Sequence, residues 1–164
     1  MKRREILKNL SVIPMAGVMG NGLTDKTENQ LKDEWTPKKV AIPGTYSTTS
    51  PLSLGIRSGH LLFLSGIGGW YGNRRAEPGD IKVQIQSALT DMKENLERAG
   101  TSMANVLKVH MTLADPNKNL GPLNEVYGQF FPDPKPVRSF SGAGIDQMGR
   151  DGVLVQIDCI AYID

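Results

Sequence analysis

A chain of 164 residues, 39% hydrophobic and 22% charged, holds enough apolar material for one modest core and is too ordinary in composition for a fibrous or disordered protein. No stretch reaches the apolar length of a membrane-spanning helix, and a single cysteine, Cys159, excludes an intrachain disulfide. The net charge of +2 belongs to the start: residues 1–20 hold four basic residues against one acidic, leaving 15 basic and 16 acidic residues, or −1, for the rest and no basic footprint for nucleic acid.

Met1-Lys2-Arg3-Arg4-Glu5-Ile6-Leu7-Lys8 precedes a weakly apolar run from Ser11 to Gly20. A basic start, an apolar middle and small residues after it describe an export signal, and the adjacent arginines give it twin-arginine character over 1–22. The competing reading is a basic amphipathic helix, and Pro14 interrupts the apolar run. An exported, periplasmic location follows from the first reading and a cytoplasmic one from the second. Residues 23–49 are polar and irregular, with Pro37 and Pro43 as punctuation, and read as a linker and an arm lying on the domain. The folded domain is expected over 50–164.

Pro51 to Arg57 is a candidate first strand, and Gly59-His60 a turn. Leu61-Leu62-Phe63-Leu64-Ser65-Gly66 is short, strongly apolar and flanked by glycine, which favours a strand over a helix. After a loop containing Trp70, Tyr71 and Pro78, Asp80 is a fitting N-cap. Behind it Ile81, Ile85, Leu89, Met92, Leu96 and Ala99 form one face of an amphipathic helix that Gly100 ends. Residues 104–113 alternate, with Leu107, Val109, Met111 and Leu113 on one face and Lys108, His110 and Thr112 on the other, as in a half-buried strand. Leu120, Leu123, Tyr127 and Phe130 mark a second, shorter helix, stopped by Pro132, Pro134 and Pro136. Two strands follow, around 137–144 and 153–163. The order β-β-α-β-α-β-β predicts an α+β fold with two helices on one face of a sheet. The uncovered face would carry Lys108, His110, Gln156 and Asp158 beside Leu154 and Ile160, half apolar and suited to contact between subunits.

In the last two strands, alternation sends Val153, Val155, Ile157, Cys159 and Ala161 one way and Gln156 and Asp158 the other. Arg138, in the run Pro136-Val137-Arg138-Ser139-Phe140, is expected to pair across to this last strand. Two readings stay open. Arg138 faces Gln156 and Asp158 as a small site for an anion, held by parallel guanidinium hydrogen bonds. Alternatively it is paired with Asp158 on a solvated or subunit-facing surface. Cys159 reads as a small buried hydrophobe, and His110 as a surface or interface histidine.

Several short pieces occur in a particular order. They are Gly59 leading into Leu64-Ser65-Gly66, Gly79-Asp80 before a helix with Gln84 and Ala88-Leu89, and Ala99-Gly100-Thr101-Ser102 before Val106-Leu107-Lys108-Val109. Asn124-Glu125-Val126-Tyr127 with Phe130-Phe131, Pro136-Val137-Arg138, and Ile157-Asp158-Cys159-Ile160-Ala161 complete the series. Together they resemble the RidA/YjgF family, the reactive-intermediate deaminases, from about Pro51 to Ile163. The resemblance implies a chorismate-mutase-like fold, a homotrimer with ligand clefts between subunits, and hydrolysis of 2-aminoacrylate and related enamines or imines to a keto acid and ammonia. It implies no metal and no organic cofactor. Arg138 stands where the family arginine grips the substrate carboxylate. Ser65 and Gly66 match the pair beside the ligand, and Asn124 matches the asparagine of the second helix motif.

Three positions depart from the family pattern. Gln156 replaces the terminal-strand glutamate associated with the attacking water, Leu52 replaces a site tyrosine, and Phe140 replaces a small residue or cysteine. Glutamine can hydrogen-bond a water but cannot ionise. The leading expectation is a small carboxylate-bearing imine as substrate, with Arg138 and Gln156 catalytic and Ser65, Gly66, Asn124, Leu52 and Phe140 lining the cleft. The rivals are a non-catalytic trimer that binds a small carboxylate and, less favoured by the near-neutral charge, a ribonuclease. No nucleic-acid partner, and no membrane partner after export, is expected.

Overall fold

The computed structural model describes residues 38–45, 47–69 and 79–163. The expected export signal, most of the linker, and the part of the loop holding Trp70, Tyr71 and Pro78 lie outside the described residues.

The elements in chain order are β1 (Val40–Ala41), β2 (Gly55–Ser58), β3 (Leu61–Gly68), α1 (Ile81–Arg98), β4 (Val106–Ala114), α2 (Pro116–Tyr127), β5 (Val137–Ala143) and β6 (Val155–Tyr162). They build one six-stranded sheet in the order β1-β2-β3-β6-β4-β5, with both helices packed on it. Every neighbouring pair is antiparallel except β4 and β5. Among the described residues no helix is long and apolar enough to cross a membrane.

The expected first helix forms as its periodicity dictates. Asp80 caps it, its Oδ1 accepting from the backbone N–H groups of Lys82 at 3.0 Å and Val83 at 3.1 Å. Ile81, Ile85, Ala88, Leu89, Met92 and Leu96 are buried against Leu62, Leu64, Val109 and Ile157 of the sheet. Gly100 leaves the helix at φ +86°, a conformation that favours glycine. Gln84 lies on the same buried face although it is polar. Its Nε2 donates to the Gly152 carbonyl at 2.6 Å, and its Oε1 accepts from the Leu154 N–H at 2.7 Å. The fully buried amide is therefore satisfied and ties the segment before β6 to α1.

Besides Arg138, the structure corrects the sequence expectations at four places. The arm joins the sheet: Val40 and Ala41 pair with Arg57 and Ile56, and Ile42 is buried in the core. The strand expected from Pro51 begins only at Gly55. Alternation in β4 is interrupted by a register shift between Val106 and Lys108, so Val106 is buried and Leu107 is exposed. Leu154, expected on the open face, is buried just before β6.

The largest correction concerns Arg138. Its strand, β5, pairs with β4 in parallel, and β6 lies on the far side of β4. Two parallel strands need a crossover, which α2 supplies between them. Arg138 is thus in register with Val109, and Val109 with Cys159. Residues in register share a face, so Arg138 points to the helix-covered side, whereas Gln156 and Asp158 point to the open side.

Candidate functional site

The expected site residues fall into two groups. The first lies at the far end of β3. A register shift between Leu64 and Ile67 makes a bulge at Ser65 and Gly66 opposite β6. The Ser65 N–H donates to the Leu54 carbonyl at 2.9 Å, which ties the bulge to the segment carrying Leu52. A Cβ at Gly66 would sit 2.8 Å from Gln156 Nε2 and 2.9 Å from its Cδ, so the Gln156 side chain lies directly over the Gly66 backbone. Leu52 is half exposed and helps line an open cavity of about 310 Å³ with Lys39, Ser47, Thr48, Ser50 and Ser53. The bulge thus sets backbone free of side-chain bulk beside a neutral amide, while the cavity carries Ser47, Thr48, Ser50 and Ser53 on its lining.

The second group sits at the β5 edge beside the end of α2. The Arg138 guanidinium carbon lies 4.6 Å from the centroid of the Tyr127 ring, within the range of a cation–π contact. Tyr127 is buried, and its ring lies 4.8 Å from that of Phe131. Phe140, two residues beyond Arg138 on the same side of the strand, is exposed. Asn124 is exposed on α2, one turn before Tyr127.

The two groups do not meet within one chain. Gln156 is in register with Thr112, and Thr112 with Ser141. Arg138 is therefore three residues along and two strands across from Gln156, about 10 Å in each direction by strand geometry, and on the opposite face.

Asp158 does not neutralise Arg138. The ion pairs among the described residues join Lys82 to Glu125, Lys93 to Glu97 and Lys135 to Asp133. Asp158 is instead in register with His110, whose Nδ1 lies 3.1 Å from Ser139 Oγ. Partial burial raises the Asp158 carboxyl above its ordinary value, against the opposing pull of His110 and Lys108. Burial also pushes the Tyr127 hydroxyl up to about 12, opposed by the Arg138 cation, and the Cys159 thiol up to about 12. Both stay neutral near pH 7, and Cys159 is the small buried hydrophobe that its strand face suggested. Among the described residues no cluster of histidine, cysteine and carboxylate side chains is placed to hold a metal.

Tyr127 is the residue that sequence reasoning missed. Its spacing marked it only as core of a short helix. Its contact with Arg138 becomes visible once β5 is known to run parallel to β4, which turns the arginine toward α2.

Comparison with known proteins places this arrangement among relatives. The chain matches the family model described as "Endoribonuclease L-PSP" over residues 44–163. It is 32% identical over 115 residues to the mitochondrial protein mmf2 of Schizosaccharomyces pombe, covering 70% of this chain and 90% of the relative. It is 36% identical over 119 residues to a RutC family protein of Pyrococcus horikoshii, covering 68% of this chain and 86% of that protein. The crystal structure of E. coli TdcF with bound serine superposes with a TM-score of 0.66 at 25% identity, covering 77% of this chain and 100% of that one.

Proposed function

From the premise that the chain belongs to the endoribonuclease L-PSP family, also called RidA/YjgF, we propose that it hydrolyses a small 2-imino or enamine carboxylate to the keto acid and ammonia, at sites shared between copies in a homotrimer. The observation that carries this reading is the state of Arg138. It is a permanent cation at a sheet edge, stacked on an aromatic ring, with no ion-pair partner among the described residues. A guanidinium with its N–H fork unspent is a receptor for a planar carboxylate. The serine bound in the related TdcF is a small molecule bearing such a group.

The division of the residues supports the shared site. Arg138, Phe140 and Asn124 lie on one side of the protomer, while Ser65, Gly66 and Gln156 lie on the other. A second copy that sets its bulge against the first copy's β5 edge completes the set.

In that cleft Arg138 fixes the substrate carboxylate. An enamine first tautomerises to the imine. Gln156 orients a water whose oxygen adds to the C=N carbon as one of its protons passes to the imine nitrogen, and the hydroxyl proton follows as the C–N bond breaks. The resulting carbinolamine collapses to the C=O bond, and the C–N bond breaks with release of ammonia. Gln156 cannot remove the water's proton, and the loss of such a general base costs about 10²–10⁴ in rate where it operates. Leu52 and Phe140 make the cleft more apolar than a tyrosine and a small residue would.

The test is ammonia release from freshly generated iminopyruvate. The parent should accelerate it and Arg138→Ala should not; equal rates with and without the parent would defeat the reading. Gln156 also favours a second reading, a trimer that binds a small carboxylate without turning it over. A ribonuclease, which the family description names, needs paired acid and base groups. His60 contacts the Ile163 carbonyl and His110 contacts Ser139, on different parts of the sheet. RNA binding that weakens steeply with salt would speak for that activity.

A further inference from the structure

We propose that Tyr127 is a positioning residue for carboxylate capture: its ring orients the Arg138 guanidinium and occupies the place of a counter-ion without consuming its hydrogen-bond donors. This rests on the reading of Arg138 as the anion anchor and adds the device that keeps the anchor ready.

The argument begins with what an edge-strand arginine does when left alone. Its long side chain samples many rotamers, and binding a ligand would have to freeze them. A carboxylate neighbour would hold it in place but would also occupy the N–H fork and cancel the charge that attracts the substrate. An aromatic face avoids that conflict. It attracts the cation through the ring quadrupole, while the five N–H donors radiate in the plane of the guanidinium and remain open.

The ring is itself held. Tyr127 is 7% exposed, it closes α2, and Phe131 packs against it at a ring tilt of 40°. Arg138 is registered against the buried Val109 of β4, so the backbone carrying the guanidinium is held in the sheet beside that ring.

The hydroxyl has no part in this. Tyr127 Oη is buried and has no hydrogen-bond partner among the described residues. It stays protonated near pH 7, so the group facing Arg138 is a neutral ring and not a phenolate. A phenylalanine should therefore do the same work, and it would remove a buried polar group that the fold leaves unsatisfied.

The experiment uses the full assembled protein, with pyruvate as the carboxylate probe. Calorimetry measures affinity for the parent, Tyr127→Phe, Tyr127→Leu and Arg138→Ala. In parallel, nitrogen-15 spectra follow the Arg138 Nε–Hε resonance, assigned by its loss in Arg138→Ala. Tyr127→Phe should keep the parent affinity and the ring-current shift of that resonance, with thermal stability no lower than the parent's. Tyr127→Leu should lose the shift and bind about tenfold more weakly, the scale of a desolvated cation–π contact. Parent affinity in Arg138→Ala overturns the anchor reading. Loss of affinity in Arg138→Ala together with parent affinity and an unmoved resonance in Tyr127→Leu overturns the positioning role alone. Should Tyr127→Leu fail to fold, Tyr127→Phe still decides, because weakened binding there would show that the hydroxyl and not the ring is used. The resonance is readable in the absence of ligand, so a parent that fails to bind pyruvate defeats the anchor reading while the spectra still judge the contact.

Discussion

The proposed site sets Arg138, a cation stacked on an aromatic ring, against Gln156, an amide that cannot ionise. Arg138→Ala should weaken pyruvate binding by about 1.5–3 kcal/mol, the scale of hydrogen bonds to a charged group, as read by calorimetry. Gln156→Glu adds a carboxylate at nearly unchanged volume over the Gly66 backbone. If the chain is a hydrolase slowed by a missing base, the variant should release ammonia from iminopyruvate faster than the parent. A variant that gains no rate and binds pyruvate less tightly, through repulsion between two anions, would favour the binding-protein reading. Asp158 gives a test by pH. A carboxyl raised by burial stabilises the fold most while protonated, so its contribution is full below the ordinary value of 3.8 and is lost as pH rises through the raised value. Asp158→Asn should therefore gain melting temperature over the parent as pH climbs out of that acidic window, and the two should converge below it. A constant difference at all pH values would count against this account. The strand that carries Arg138 was legible in the sequence, but the residue its side chain faces was not. Which residue lies under a strand's side chain depends on the neighbouring strand, and that pairing is nonlocal.

Elements whose signals are local formed as their sequence dictates. The cap at Asp80, the stripe from Ile81 to Leu96 and the glycine exit at Gly100 specify α1 without reference to the rest of the chain. Asp80→Ala should lower stability by about 1 kcal/mol, the usual cost of a lost N-cap, measured by urea unfolding; an unchanged midpoint would mean the cap contributes nothing. The misplaced elements are those whose limits are set by contact with other elements. β1 is two residues long and carries no periodicity of its own, yet it delivers Ile42 into the core over Gly55. Ile42→Ala should cost about 2–5 kcal/mol, the range for truncating a core isoleucine, whereas a loose arm would lose almost nothing. The bulges in β3 and β4 were equally hidden. Each shifts the alternation by one residue, and only the partner strand reveals where. The β3 bulge sets Gly66 beside Gln156.

At the scale of the whole molecule, the open face of the sheet exposes an apolar band. Phe63 and Ile160 are in register, as are Leu61 and Tyr162, and Val137 continues the apolar row across the Lys108 position. Leu61, Phe63, Tyr162 and Val137 are 40%, 42%, 37% and 66% exposed. Such a band is the kind of surface that a second subunit covers, and it adjoins the polar row of Asp158, His110 and Ser139. Phe63→Asp should therefore shift the proposed trimer toward monomer in sedimentation, and a monomeric parent would defeat the assembly outright. Alternation made legible that Lys108, His110, Gln156, Asp158 and Ile160 share a face; it did not show that Leu61, Phe63 and Val137 join them, because that follows from the sheet order, or that Leu154 is buried. At the N-terminus, Arg3→Lys with Arg4→Lys should retain the full chain in the cytoplasm if the paired arginines direct export, and unchanged fractionation would remove that proposal.

The central claim, that one active site draws on two copies of the chain, is tested most directly by mixing two damaged proteins. Arg138→Ala and Gln156→Ala should each be impaired in releasing ammonia from iminopyruvate. Unfolded together and refolded as mixed trimers, they should regain activity, because roughly a quarter of the shared sites would receive an intact Arg138 from one chain and an intact Gln156 from another. Mixed trimers no more active than either variant alone would contradict the account, because a site contained within one protomer cannot be restored by exchange of subunits.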